Sequence, residues 1–213
     1  MASTNNWRVV FHGKQTHGAR PWDGVDPIVI GAQFVTVMQT IVSRRTDLTR
    51  TPSVVTVGAF NGGVRENIIP DSAVLIGTMR TFDADVLTQI QNEMRRTAAG
   101  IAEASGGRAE VTFLPGYPVT VNDPALTRRM VPTLERVSPG KVAIAKLSMP
   151  AEDFSRYQEK VPGMFLFLGV TPRGTDASAA PANHSPLFDV DESALPVGVR
   201  VLAALAVDFL AAR

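Results

Sequence analysis

The first 115 residues alternate between strand-like and helix-like apolar spacing, and the order of these stretches restricts the fold more than any other feature of the chain. Two stretches carry apolar residues three and four positions apart, which predicts amphipathic helices beginning after Asp26 and Asp83. The β-rich stretches around them are residues 7–12, 53–60, 73–81 and 109–114. The order is therefore strand, helix, strand, strand, helix, strand.

This order is typical of a ferredoxin-like βαββαβ sandwich, an α+β fold in which two helices cover one face of an antiparallel sheet. The pattern changes at Gly116 and Pro118, which interrupt it before a new helical stretch begins. We therefore predict a first domain of residues 7–118 and a second domain of residues 119–213.

The second domain is predicted to alternate between helices and strands. Its expected elements are a helix over residues 122–137, a short strand over 141–145, a short helix near Glu152, an apolar strand over 164–168 and a closing helix from Asp191. Two strands are too few for a sheet that helices cover on both faces. The sequence thus predicts an incomplete α/β layer after the sandwich.

Composition excludes several classes of protein. The net charge is +1, with 45% apolar and 19% charged residues, so nothing favours nucleic acid or an anionic membrane as a partner. The chain has no cysteine, which removes disulfides and thiolate metal ligands. Its first residues lack the basic-then-apolar order of a signal peptide, and we expect a cytoplasmic protein that does not bind membranes.

The polar connection between the two central strands presents Asn67 as a candidate functional residue. Asn67 precedes Ile68 and Ile69 and is followed by Pro70, a setting that fixes the backbone and lets the amide side chain project as a hydrogen-bond donor. The alternative is that Asn67 makes only a local Asx-type hydrogen bond to the turn.

The three histidines differ in what their surroundings predict. His12 lies inside a predicted strand and is expected to be structural. His17 lies next to a glycine in a loop, where its imidazole either faces solvent or faces a substrate. His184 precedes a proline-containing loop, and a lone loop histidine is more often a surface residue than a metal ligand.

From the residues alone, the ligands of a metal site are too few. A catalytic zinc needs about three protein ligands and one open position. The sequence contains no His-x-Asp, no His-x-x-x-His and no Glu-Glu pair. The adjacent carboxylates Glu152-Asp153 and Asp191-Glu192 lie at predicted helix starts, where capping explains them.

Several motifs, taken in order, resemble one family. They are Gly-Lys-Gln-Thr-His-Gly-Ala-Arg-Pro (residues 13–21) with Asp-Pro-Ile (26–28), Gly-Gly (62–63), Asn-Ile-Ile-Pro-Asp (67–71), Gly-Thr-Met-Arg-Thr (77–81), Glu-Asp-Phe-Ser (152–155), Val-Pro-Gly (161–163), Phe-Leu-Gly (167–169) and His-Ser-Pro-Leu-Phe (184–188). Their order and spacing resemble the metal-dependent amidohydrolases and peptidases that include aminoacylase, hippurate hydrolase and the indole-acetyl-amino-acid hydrolases.

The resemblance implies a fold and a reaction. In that family a ferredoxin-like lid, here residues 7–118, mediates homodimerisation, and a catalytic domain, here the half represented by residues 119–213, holds two divalent ions such as zinc, manganese or cobalt. The substrates it implies are N-acyl amino acids or small peptides, whose amide bond is hydrolysed.

The resemblance also assigns roles to individual residues. His184 matches a metal-ligand position, and Arg80 matches an arginine that binds the substrate carboxylate. His17 and Asn67 match lid residues that reach the partner subunit's active site and polarise the scissile carbonyl or hold the carboxylate. Glu152 falls in a segment that lines the substrate pocket.

The chain also departs from the family pattern. The half of the catalytic domain with the His-x-Asp segment, the bridging acid and the glutamate pair is absent, and Gln15-Thr16 replaces the glycines usual before His17. We therefore expect a fragment, a split gene product or an internally started chain that is inactive alone and holds no metal tightly. The alternative function is a non-catalytic dimerisation or amino-acid-binding module.

Overall fold

The computed structural model describes residues 1–211, which divide into two units. The first unit comprises Met1–Thr120 together with Leu147–Tyr157, and the second comprises Val121–Lys146 with the residues from Gln158 onward. The boundary predicted after residue 118 stays a prediction; the first unit's main segment ends at Thr120, and residues 147–157 also belong to that unit. The interpretation of residues 119–213 as half of a catalytic domain stays a prediction.

A four-stranded antiparallel sheet forms the centre of the first unit. Its strands are β1 (Asn5–His12), β3 (Ser53–Gly62), β5 (Ser72–Thr81) and β6 (Arg108–Pro115), and their spatial order is β3-β5-β1-β6. Two further strands, β2 (Thr16–His17) and β4 (Ile68–Ile69), pair separately as a small antiparallel sheet. Strands β3 and β6 are therefore the edges of the main sheet.

Two helices cover one face of this sheet. Helix α1 (Pro27–Arg45) begins after Asp26, whose carboxylate accepts hydrogen bonds from the N–H groups of Ile28 and Val29. Helix α2 (Ala84–Ala104) begins after Asp83 in the same way. The helices pack on the sheet around a fully buried core that includes Trp7, Phe11, Phe34, Met38, Leu75, Met79, Ile90 and Met94. The predicted ferredoxin-like α+β sandwich is confirmed.

The second unit contains two long helices that pack on each other. Helix α3 (Pro124–Val137) begins after Asp123, and α5 (Leu195–Ala211) follows a single 3₁₀ turn, Glu192–Ala194. Asp208 of α5 accepts hydrogen bonds from Thr133, at 2.5 Å, and from Arg136. These polar contacts join α3 and α5, because both partners of Asp208 lie on α3.

The two strands predicted for this unit are wrong. Within residues 1–211, neither 141–145 nor 164–168 forms a strand, and a short helix, α4 (Ser155–Gln158), lies where one was expected near Glu152. A strand needs a neighbour whose backbone groups complete its ladder. At Phe165 a side chain takes the place of a neighbouring strand. Oδ1 of Asn122 accepts the N–H of Phe165 at 2.7 Å, and Nδ2 of Asn122 donates to its carbonyl oxygen at 2.8 Å.

The closing helix exposes much of its apolar surface. Within the described residues, Glu192–Ala211 is the helical stretch whose length and composition would permit a membrane span, and only 6% of its most apolar 18 residues are buried. The charged Asp208 in that stretch is bound to α3. The expectation that the protein does not bind membranes stays a prediction.

Candidate functional site

The loop after β1 folds back along the hairpin and brings His17 next to Asn67. The N–H of Gly13 donates to the carbonyl oxygen of Asp71 at 2.8 Å. In the small sheet His17 is the partner of Ile68, and the N–H of Gly18 donates to the carbonyl oxygen of Asn67 at 2.8 Å. Residues 50 positions apart in sequence thus form one short polar edge.

The imidazole of His17 is exposed, and a backbone group orients it. The N–H of Ala19 donates to Nδ1 of His17 at 3.0 Å, while no hydrogen bond of Nε2 is recorded within residues 1–211. The N–H of Arg20 donates to the carbonyl oxygen of His17 at 2.8 Å, which closes a tight turn. The imidazole therefore presents Nε2 outward. The sequence could not predict the hydrogen bond from Ala19 to His17, because its donor is a backbone N–H, which almost every residue type has.

Asn67 is exposed as well. Its backbone carbonyl binds Gly18, but within the described chain its side-chain amide makes no recorded hydrogen bond. The local Asx-type bond considered from the sequence is not formed. The amide of Asn67 is therefore available to donate or accept a hydrogen bond.

Arg80 lies at the opposite end of the sheet. It is eight residues beyond Ser72 in β5, so about 27 Å of extended strand separates it from the end at which the small sheet lies. Its Nη1 donates to the carbonyl oxygen of Met79 at 3.1 Å, and within residues 1–211 no carboxylate pairs with it. The guanidinium of Arg80 is half-buried and retains donors for an anion.

Glu152 belongs to the segment that returns to the first unit, near the Arg80 end. The N–H of Ala2 donates to the carbonyl oxygen of Ser148 at 2.9 Å, and the N–H of Ser3 donates to that of Thr81 at 2.8 Å. Glu152 itself accepts the hydroxyl of Ser155 on its backbone oxygen at 2.7 Å. Oε1 of its carboxylate accepts the N–H of Phe154 at 3.4 Å, just before α4, as the capping alternative requires, and Glu152 is half-buried.

His184 lies in the second unit, in a loop with unusual backbone geometry. Its φ is +73°, the left-handed region that non-glycine residues seldom occupy. The N–H of Ser185 donates to the carbonyl oxygen of Ala182 at 3.1 Å and closes a turn around it. His184 is exposed, and nowhere in residues 1–211 do three or more histidine or carboxylate side chains form a group that could hold a metal.

Hydrogen bonds hold the pKa values of two acids of the second unit, Asp191 and Asp208, below their usual range. The side-chain and backbone hydrogen bonds from Ser193 lower the pKa of Asp191, which caps the 3₁₀ turn. Hydrogen bonds from Thr133 and Arg136 likewise lower the pKa of Asp208. Both carboxylates are therefore ionised at neutral pH and act in the structure, which agrees with the capping interpretation of Asp191.

A family comparison identifies the first unit. Residues 4–105 match the M20 family description "Peptidase dimerisation domain". This segment is an M20 peptidase dimerisation domain. The matched segment contains β1 to β5, both covering helices and the two candidate residues His17 and Asn67, and strand β6 follows it directly.

Relatives extend the similarity beyond the M20 dimerisation domain. The chain is 36% identical to "Thermostable carboxypeptidase 2" of Saccharolobus solfataricus over 98% of this chain and 52% of that protein. It is 35% identical to "N-acetylcysteine deacetylase" of Bacillus subtilis over 97% of this chain and 52% of that one. The resemblance to metal-dependent amidohydrolases and peptidases is thereby confirmed.

A solved structure agrees. The Bacillus subtilis YXEP protein, described as a dinuclear metal binding peptidase from the M20 family, superposes with a TM-score of 0.79 at 31% identity. The superposition covers 99% of this chain and 51% of that one. The chain therefore spans about half the length of the relatives it matches.

Proposed function

We propose that this chain supplies the dimerisation domain and one part of the catalytic domain of a metal-dependent amidohydrolase that cleaves N-acyl amino acids or small peptides. The single observation that carries the proposal is that backbone pairing, His17 with Ile68 and Gly18 with Asn67, brings the two exposed candidates His17 and Asn67 close together in the M20 dimerisation domain. Two relatives support hydrolysis of an amide bond, because one is named a carboxypeptidase and the other a deacetylase.

The polar edge suits the stabilisation of a developing negative charge. In amide hydrolysis the scissile carbonyl oxygen becomes an oxyanion, and donors fixed before the reaction lower the barrier most. Nε2 of His17, in β2, and the amide of Asn67, in the turn directly before β4, are two candidate donors that lie close together in the chain's fold. We assign them to the carbonyl oxygen and assign Arg80 to the substrate carboxylate, which a guanidinium binds in bidentate fashion.

These assignments require two copies of the chain. A dipeptide-sized substrate spans roughly 7 Å, whereas about 27 Å of strand separates the two ends of the sheet. A substrate bound to Arg80 of one chain therefore meets His17 and Asn67 of another chain. The active site proposed here is shared across a homodimer.

The two sheet edges differ in their suitability for that homodimer. Strand β3 contains no charged residue and exposes Val54 and Phe60. Strand β6 carries Arg108 and Glu110, which form an ion pair with each other. Charged side chains discourage pairing between edge strands, so we assign the dimer contact to β3.

The residues present do not form a complete metal site. His184 is the one matched ligand position, and the described residues contain no group of three possible ligands. The proposal therefore places the two divalent ions, zinc, manganese or cobalt, in the complete enzyme, with His184 as one ligand. This chain alone is proposed to be inactive, and the complete enzyme is proposed to act in the cytoplasm.

A chimera tests the proposed function. The chain replaces the matching 52% of the Saccharolobus carboxypeptidase, so that the other half of that enzyme supplies what this chain lacks. We expect metal-dependent hydrolysis of N-acyl amino acids or dipeptides. His184→Ala is expected to abolish it, whereas His12→Gln serves as the matched control because His12 contacts Glu110 within the sheet and not the proposed site.

Two results would contradict the proposal. One is a folded, dimeric chimera that hydrolyses no amide, and the other is hydrolysis that survives His184→Ala. Isothermal titration with N-acetyl amino acids then distinguishes the alternative, because a non-catalytic binding module takes up such ligands without turnover and without added metal.

A further inference from the structure

The hydrogen bond between Ala19 and His17 determines which ring nitrogen of His17 carries a proton. A backbone N–H is only a donor, so the nitrogen that accepts it must offer a lone pair. Nδ1 of His17 accepts the N–H of Ala19 at 3.0 Å and is therefore unprotonated. A neutral imidazole has one N–H, which must then be on Nε2.

We infer that Ala19 is a positioning residue that fixes His17 as an Nε2–H donor, so that the group it faces must be an oxygen acceptor. The inference rests on the proposed function for the identity of the ligand but not for the tautomer itself. In this tautomer Nε2 has no lone pair, so His17 neither accepts a substrate proton nor ligates a metal ion through Nε2. A carbonyl or carboxylate oxygen fits this edge, and an ammonium group does not.

The turn that makes this bond is held independently of the imidazole. The N–H of Gly18 binds Asn67, and the N–H of Arg20 binds the carbonyl of His17, so the amides on both sides of Ala19 have backbone acceptors. The hydroxyl of Thr16 also donates to the carbonyl oxygen of Arg20 at 3.2 Å. The backbone thus aims the Ala19 N–H at Nδ1, and removal of the imidazole leaves the turn its other bonds.

The inference is tested on the isolated, uniformly ¹⁵N-labelled chain by NMR at about pH 8.5, where a free imidazole is neutral. Long-range ¹H–¹⁵N correlations show which nitrogen is protonated, and His12→Gln and His184→Gln assign the signals. We expect a proton on Nε2 of His17 and a ¹⁵N–¹⁵N coupling across the hydrogen bond from Ala19 to Nδ1. A proton on Nδ1, or no coupling, overturns the inference.

Amide exchange supplies a matched control within one variant. In His17→Ala we expect the Ala19 amide to lose at least about tenfold in protection from hydrogen exchange, while the Gly18 amide keeps its protection because its acceptor is Asn67. Unchanged protection of Ala19 contradicts the inference. Neither measurement depends on hydrolysis, so failure of the proposed function and failure of this inference give different results.

In the active chimera, Ala19→Pro removes the N–H and Ala19→Gly retains it. Because a positioning group acts through the donor, we expect the proline variant to lower kcat at least about tenfold with little change in KM, and the glycine variant to stay within about twofold of the parent. The spectrum of the proline variant should show a mixed tautomer population. A proline variant that retains both the parent's kcat and its tautomer pattern would contradict the positioning role.

Discussion

Gly77 lies directly opposite Trp7 in the antiparallel pair of β1 and β5, and a Cβ on Gly77 would overlap the indole ring. The same Cβ would overlap the carbonyl oxygen of Thr56 on the other neighbouring strand. Trp7 is 1% exposed and its Nε1 donates to the carbonyl oxygen of Thr78 at 3.3 Å. The largest core side chain can lie flat on the sheet because residue 77 has no side chain.

Gly77→Ala is therefore expected to destabilise the M20 dimerisation domain strongly. Overpacking costs typically about 1–3 kcal/mol, and here one obstacle is backbone, which cannot rotate away, so at least about 3 kcal/mol is expected. Urea unfolding followed by Trp7 fluorescence measures it. The matched control is Gly100→Ala in α2, where the new Cβ meets nothing within 4 Å and should stabilise the helix by up to about 1 kcal/mol. Equal effects of the two substitutions would contradict the packing explanation.

Asp83, at the start of α2, makes part of the domain's free energy of unfolding depend on pH. The N–H of Val86 and the guanidinium of Arg50 hold the pKa of Asp83 below its usual range, through hydrogen bonds and an ion pair of 2.6 Å. Because the folded-state pKa is the lower one, the Asp83 contribution is fully present above the unfolded value of about 3.9 and is lost as pH falls through the folded value.

Asp83→Asn tests this contribution while keeping a residue that caps helices well. We expect the wild-type chain to be more stable than the variant at neutral pH and the difference to shrink as pH falls below about 4. Urea unfolding at a series of pH values measures it. Glu103→Gln, an exposed substitution at the far end of α2, should show no such convergence. A difference between wild type and Asp83→Asn that does not depend on pH would exclude the carboxylate charge as its cause.

The predictions made from the sequence succeeded where the signal was local. Asp26, Asp83 and Asp123 each precede a helix and accept its first N–H groups, and such caps are visible in the sequence because they involve residues two or three positions apart. The strands at 141–145 and 164–168 failed because a strand depends on a partner that apolar composition does not reveal.

For the candidate site, too, the sequence predicted the individual residues but not the contacts that bring them together. The sequence singled out His17 and Asn67 separately, but the two-residue strands that join them are too short to give an alternating pattern. The recorded bond to Nδ1 of His17 and the missing Asx bond of Asn67 depend on backbone geometry, which no pattern of residue types specifies. The roles of all five candidate residues stay predictions.

The uncharged edge of β3 predicts where copies of the chain associate. Val54→Lys places a charge on that edge and is expected to raise the dimer dissociation constant at least about tenfold, because a lysine on an edge strand opposes strand pairing. Sedimentation equilibrium measures the constant. Leu114→Lys on β6, where the native residue is similarly exposed, is the matched control and should leave it unchanged. A stronger effect of Leu114→Lys would transfer the dimer contact to the opposite edge.

The isolated chain is expected to bind divalent metal weakly. His184 is the one matched ligand position, and a single imidazole cannot replace the three ligands that a catalytic zinc requires. After dialysis against metal-free buffer, elemental analysis should find far less than one zinc per chain, and His184→Ala should not lower that value further. Stoichiometric zinc that His184→Ala removes would show that this chain contains a complete site.

The separation of His17 from Arg80 along one sheet leads to the most demanding prediction, in the active chimera. His17→Ala should lower kcat about 100- to 1000-fold with little change in KM, because a donor aimed at the oxyanion acts mainly in the transition state. Chains carrying His17→Ala and chains carrying His184→Ala should each be inactive as homodimers. If His17 acts across the dimer, an equimolar mixture forms heterodimers in about half of the dimers, each with one intact site, so about a quarter of the parent activity should return. If His17 acts within its own chain, every site in the mixture lacks one group, and mixtures with demonstrated heterodimers will remain inactive.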